Sequence, residues 1–172
     1  MSVIHDGLVF DRLGHASVRM ETRDGVVVYV DPWSDVLNDE PRDGDVVFVT
    51  HDDPDHYDPD AIAAVAGDDA DVVAYEAIDT TGIDRDVTPL AYDGTLSVRG
   101  ISVEAVPAHN RPEGDHVQGG GAAFHDRGEG GRPLLRGRGQ IGNYGGLTDV
   151  RPRAGHDHRG RLFPPSRRRR ST

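Results

Sequence analysis

The run Asp45-Val46-Val47-Phe48-Val49-Thr50-His51-Asp52-Asp53-Pro54-Asp55-His56 changes character halfway along. Its first six residues are β-branched and aromatic, the composition of a strand buried on both faces. Its last six follow the pattern H-x-D-x-D-H, which sets His51, Asp53, Asp55 and His56 on the loop leaving that strand. A strand end delivers side chains to the carboxyl edge of a sheet, where α/β sites sit. Imidazole and carboxylate together suit Zn²⁺, Mn²⁺ or Fe²⁺, and a chain with no Cys has no thiolate for a structural zinc. The competing explanation is accidental clustering on a solvated loop of an Asp-rich chain. The pattern arises by chance about once in a hundred chains of this composition.

Outward from this loop, the first 110 residues read as short strands around one helix. Leu8-Val9-Phe10, Ala16-Ser17-Val18-Arg19-Met20 and Val26-Val27-Val28-Tyr29-Val30 are strand-like, with Arg23-Asp24-Gly25 as a hairpin turn. Asp58-Pro59 supplies an N-cap and a first-turn proline, and Gly67 supplies a stop, which predicts a short helix between them. Asp71-Val72-Val73-Ala74-Tyr75 is a further strand. Thr95-Leu96-Ser97-Val98 and Ile101-Ser102-Val103-Glu104-Ala105-Val106 form a hairpin around Arg99-Gly100. Val106-Pro107-Ala108-His109-Asn110 places His109 at a strand end in the way His51 is placed. His15, in Leu13-Gly14-His15-Ala16, and Asp31, in Val30-Asp31-Pro32-Trp33, also lie at strand margins, where each alone reads as a turn residue.

The 172 residues suffice for one domain with a sizeable core. All 19 basic residues are Arg and 30 residues are acidic, but the charge is unevenly spread. Residues 1–126 hold 7 Arg against 27 acids, and residues 127–172 hold 12 Arg against 3. An acidic, lysine-free body suits a salt-rich cytoplasm, because carboxylates hold hydration and mutual repulsion keeps chains apart. The composition therefore points to a halophile. Residues 119–172 carry 13 of the 22 Gly and little hydrophobic periodicity, so they are expected to be poorly ordered or degenerate, with a boundary at residue 118. A shifted reading frame in GC-rich DNA yields this mixture of Arg, Gly, Pro and Ala.

In order, Leu13-Gly14-His15-Ala16-Ser17, Val30-Asp31-Pro32-Trp33, Val49-Thr50-His51-Asp52-Asp53-Pro54-Asp55-His56 and Val106-Pro107-Ala108-His109-Asn110 resemble motifs of the metallo-β-lactamase-fold metal-dependent hydrolases. Within them, the branch of ascorbate-phosphate-lactonase-like proteins is the most similar. The resemblance covers roughly residues 8–125 and implies an α/β (α+β) fold, the αββα sandwich of that family, incomplete here in its second half. It implies one or two metal ions, Zn²⁺ or else Mn²⁺ or Fe²⁺. His51, Asp53 and His109 would hold one, and Asp55 and His56 the other. Asp53 stands where the family signature H-x-H-x-D-H has its second His. The family also has a later Gly-Asp-Thr motif, and in Gly146-Leu147-Thr148 the central position is Leu147.

The activity so implied is hydrolysis of an ester, lactone or phosphoester small molecule by a metal-activated water, with Asp55 as the catalytic residue that orients the water and takes its proton. The alternative is a catalytically inactive, truncated or frameshifted remnant of such a hydrolase. Nucleic-acid binding through the Arg-rich end ranks last, because a salt-rich cytoplasm would screen it. The start lacks the charged and apolar regions of a secretory signal and no apolar run reaches the ~20 residues of a membrane span, so the expectation is a cytoplasmic protein without a membrane partner. Oligomeric state is left open.

Overall fold

The computed structural model describes residues 2–5, 8–108 and 121–126. Seven strands form one sheet in the order β1 (Ser2–His5), β2 (Leu8–Gly14), β3 (Ser17–Glu21), β4 (Val27–Val30), β5 (Gly44–Val49), β6 (Ala66–Tyr75) and β7 (Val87–Leu90). The first four strands are antiparallel neighbours, and β4 through β7 are parallel. A second, antiparallel sheet has the order β10 (Gly121–Asp126), β9 (Ile101–Ala108), β8 (Thr95–Val98). The architecture is mixed α+β, as the sequence indicated.

The two sheets share one core. Val46, Val47, Phe48 and Val49 of β5 are all buried, as a strand flanked by parallel neighbours requires. Across from them lie Val103, Ala105, Ala122 and Phe124 of the second sheet. The rings of Phe48 and Phe124 meet with centroids 4.9 Å apart. The Arg99-Gly100 hairpin has both central residues at positive φ, +47° and +80°, the turn whose twist matches that of paired strands. Gly25, at φ +81°, closes the β3–β4 turn where the sequence placed it.

Helix α1 (Pro59–Val65) buries Ala61, Ile62 and Val65 along one stripe. Its N-cap is Asp58, whose carboxylate accepts from Ala61 N–H at 3.0 Å and also from Ser34 N–H at 2.9 Å. Gly67 is not the stop expected of it. The helix ends at Val65, and β6 runs straight through Gly67, because Ala66 turns extended and pairs with Gly44. A Cβ at Gly67 would stand 3.2 Å from the Gly44 carbonyl, so the glycine serves close strand approach. The edge strands β1 and β7 had no clear signal: β1 is short with Val3 and Ile4 exposed, and β7 contains Pro89, which only an edge tolerates. Strand β10 lies beyond the boundary expected at residue 118, and its first residues cover the end of β5: Ala122 N–H donates to the Thr50 carbonyl at 2.9 Å. Among the described residues no helix is long and apolar enough to cross a membrane.

The cap yields a prediction. Asp58→Ala is expected to cost ~1 kcal/mol at neutral pH, the usual value of an N-cap carboxylate. Burial works against charge on Asp58, but the donated N–H groups outweigh it and hold its pKa below the ordinary carboxyl value. A lowered folded pKa gives stability that is present above the unfolded value, about 4, and is lost as pH falls through the folded one. Urea midpoints should therefore separate wild type from Asp58→Ala at pH 7 and draw together toward pH 3.

Candidate metal centre

The site forms where β4 and β5 end side by side. Asp31 follows β4 in the left-handed region, φ +46°, and its N–H donates to the Phe48 carbonyl at 2.9 Å. A non-glycine residue held there costs on the order of 1 kcal/mol, a strain that recurs at functional sites. The turn aims the Asp31 carboxylate, itself buried, across to the end of β5. There Oδ1 accepts from Thr50 N–H at 2.8 Å, and Oδ2 accepts from Thr50 Oγ1–H at 2.7 Å. Oδ2 also lies 2.7 Å from His56 Nδ1. The buried Ser17 hydroxyl donates to the Asp31 carbonyl at 2.6 Å.

These bonds fix both histidines. A carboxylate offers only acceptors, so His56 donates from Nδ1 and, when neutral, carries its lone pair on Nε2. The single hydroxyl proton of Thr50 goes to Asp31, so toward His51 Nδ1, 2.9 Å away, Thr50 Oγ1 can only accept. His51 is therefore protonated on Nδ1 as well, with its lone pair on Nε2. The two buried rings lie together, centroids 3.8 Å apart. One carboxylate thus sets the tautomer of two imidazoles, directly for one and through a threonine for the other, the carboxylate–imidazole arrangement found behind metal ligands.

The rest of the hexapeptide supplies negative charge on the Nε2 side. The peptide turns tightly, with His56 and Tyr57 N–H both donating to the Asp53 carbonyl at 2.8 Å. Asp53 Oδ2 lies 3.2 Å from His51 Nε2, and Asp55 Oδ2 lies 3.7 Å from His56 Nε2. Burial disfavours charge on His56, yet the bond to Asp31 and the charges of Asp31, Asp55 and Asp53 prevail and raise its pKa. A field that favours a proton on this ring equally favours a cation in its place. Neutral imidazoles with lone pairs turned to one side, flanked by carboxylates, are a donor set that fits a divalent metal ion.

Of the residues singled out from the sequence, His51, Asp53, Asp55 and His56 come together on this loop. His109 lies outside the described residues. Ala108, the residue before it, is in register with Gly121, and a Cβ on Gly121 would stand 3.1 Å from His51 Cβ. Asp31 and His15 lie in two of the motifs that carry the family resemblance, but the sequence assigns neither a place in the site. Among the described residues, the groups whose donor atoms converge are Asp31 with His51 and His56, and His15 with Asp55 and His56. Three donors engage the two oxygens of Asp31, which thereby orients both rings. The cue to its role lay in Asp31-Pro32 following a buried β-branched strand, as His51 does.

A family model described as "Beta-lactamase superfamily domain" matches residues 10–135. Among solved structures, the chain is similar to a metal-dependent hydrolase candidate from Parabacteroides distasonis (23% identity, TM-score 0.58), with 73% of this chain aligned over 59% of that one. It also aligns with CmlA, a diiron β-hydroxylase from Streptomyces venezuelae (19%, TM-score 0.49; 71% of this chain, 28% of that one). A metallo-β-lactamase from Staphylococcus aureus gives 13% identity and a TM-score of 0.48, with 77% of this chain on 42% of that one. This chain thus spans about three fifths of the length of the Parabacteroides protein and less of the others. No protein of curated function matches it significantly. A matched domain covering most of the chain, on an α+β sandwich with a histidine–aspartate loop at the end of a buried parallel strand, makes this protein a member of the β-lactamase superfamily.

Proposed function

We propose that this protein is a metal-dependent hydrolase acting on an ester, lactone or phosphoester of a small molecule. The observation that carries the reading is the shared orientation of His51 and His56, whose Nδ1 atoms are both tied back through Asp31 and Thr50. A divalent cation bound there supplies a Lewis acid for the scissile carbonyl or phosphoryl oxygen and lowers the pKa of the attacking water. Asp53 takes the place of an imidazole and shifts the preference toward harder ions, Mn²⁺ or Fe²⁺ beside Zn²⁺. His109 is the third imidazole of the proposed set, on the strength of the family motif that Val106-Pro107-Ala108-His109-Asn110 resembles. Asp55, on the half-exposed side of the loop, would orient the attacking water and accept its proton.

A panel of chromogenic ester, lactone and phosphodiester substrates, assayed with Zn²⁺ or Mn²⁺ at high salt, tests this. At least one class should be cleaved in a chelator-sensitive way, with kcat/KM reduced ~10²-fold or more in Asp55→Asn, as for loss of a general base. Turnover indifferent to chelator, or no turnover on any class by a metal-loaded chain, would contradict it.

A second reading rests on the charge reversal beyond residue 126 and on Leu147 in the Gly-Asp-Thr position: an inactive remnant whose distal part is read out of frame. The encoding DNA separates the two. A Gly-Asp-Thr strand and a downstream His in another frame beyond codon 118 would support the remnant, and their absence would exclude the frameshift.

A further inference from the structure

We propose that His15 is a metal ligand, closing a three-donor cation site with Asp55 and His56. The inference deepens the metal-dependent reading of the loop 51–56 and rests on it. His15 comes from a different part of the sheet, the turn between β2 and β3, and nothing in the hexapeptide motif calls for it. Its Nε2 lies 3.2 Å from Asp55 Oδ2, and the same oxygen lies 3.7 Å from His56 Nε2. All three donor atoms fall within 4.8 Å of one another. Tetrahedral ligands with bonds of ~2.1 Å stand ~3.4 Å apart, so these spacings are those of donors ready to share one ion. Nδ1 of His56 is engaged by Asp31, which directs its Nε2 to this side.

The turn is built to hold the ring there. His15 has a left-handed backbone, φ +47°, and its carbonyl accepts from Arg12 Nη2 at 3.0 Å. Gly14 lies so close to the turn Ser34–Val36 that a Cβ would stand 2.7 Å from Val36 Cγ1. The imidazole meets Trp33 edge-on at a centroid distance of 5.4 Å, and His56 edge-on at 6.1 Å. A half-exposed His–Asp pair contributes little on its own, typically below ~1 kcal/mol, and does not offset a strained backbone. Coordination of a shared ion gives the strained turn a purpose. The ion expected is a divalent one accepting two imidazoles and a carboxylate, Zn²⁺ or Mn²⁺ in class. The β2–β3 turn thus supplies the Asp55–His56 pair with a second imidazole from within the described part of the fold.

Binding of Co²⁺ alone, followed by its visible absorption and by titration, tests the assignment in the full chain. His15→Asn is the variant of choice, because Asn tolerates the left-handed backbone and its shorter amide does not reach Asp55. Circular dichroism and the urea midpoint confirm that it folds, and His15→Gly serves as the second variant at the same φ. If His15 is a ligand, both variants should lose about tenfold or more in Co²⁺ affinity, since even partners behind ligands account for ~10–100-fold. X-ray absorption should also count one imidazole fewer per ion at the affected site. Wild type that binds Co²⁺, with variants of unchanged affinity and imidazole count, would overturn the role of His15 and leave the hexapeptide site standing. Wild type that binds no Co²⁺ would overturn both.

Discussion

Replacing Asp31 with alanine is expected to destabilise the protein by ~3–5 kcal/mol and to weaken metal binding ~10–100-fold. Asp31 is buried, and its two oxygens take three donors: Thr50 N–H, Thr50 Oγ1–H and His56 Nδ1–H. Alanine leaves all three in the interior with no acceptor, at ~1–3 kcal/mol for each buried group so orphaned. The lower part of that sum, ~3–9 kcal/mol for three groups, coincides with the ~3–5 kcal/mol found when one partner of a buried charged pair is removed. Loss of ring orientation is the second consequence. Without the carboxylate, the Thr50 proton can turn to His51 Nδ1, which moves the His51 lone pair away from Nε2. Partners behind ligands account for ~10–100-fold in metal affinity, and Asp31 stands behind two imidazoles. Asp31→Asn keeps the volume but turns an N–H₂ toward a donor, so it should fall between wild type and alanine in both measurements. Urea unfolding and Zn²⁺ titration of the three proteins test this, and metal affinity unchanged in Asp31→Ala would reduce Asp31 to a structural residue.

Phe48→Ala is expected to cost a further large share of the stability, ~3–5 kcal/mol out of a typical total of ~5–15. Phe48 is buried near the carboxyl end of β5, paired with Val30 on one side and Val73 on the other. Its ring touches Phe124 of the second sheet, so the truncation opens a cavity at the junction of the two layers. The same residue offers its carbonyl to Asp31 N–H, which ties the core to the site above it. A double-mutant cycle with Phe124→Ala should return a coupling of ~0.5–1.5 kcal/mol for the aromatic pair. A loss below ~1 kcal/mol for Phe48→Ala, or additive behaviour in the cycle, would show that the two sheets do not share the core described above.

What the chain disclosed in advance was local. The β-branched run 45–50, the Asp58-Pro59 helix start and the Arg99-Gly100 turn each combine a residue type with the backbone conformation it favours, and each is found in place. Gly67 misled because its role is set by the neighbouring Gly44 strand, a long-range fact that punctuation rules do not contain. Strand β10 was hidden by glycines in a segment of weak hydrophobic periodicity, although Ala122 and Phe124 alternate onto the core. At the site, the hexapeptide announced its own donors because His51, Asp53, Asp55 and His56 are contiguous. Asp31 lies 25 residues from His56, and its part depends on β4 and β5 being neighbours in the sheet. His15 is brought to Asp55 because β3 runs antiparallel to β4, which sets the β2–β3 turn at the same sheet edge as Asp31, a placement only the folded chain makes visible.

The most direct test of the metal centre is the amount of metal held by the purified full-length chain after equilibrium dialysis against Zn²⁺ or Mn²⁺ at high salt, by elemental analysis. The arrangement of His51 and His56 predicts at least about one ion per wild-type chain and a stoichiometry near zero in the folded His51→Ala, His56→Ala double variant. A wild-type chain with no bound metal, or a double variant that holds as much as wild type, would contradict it.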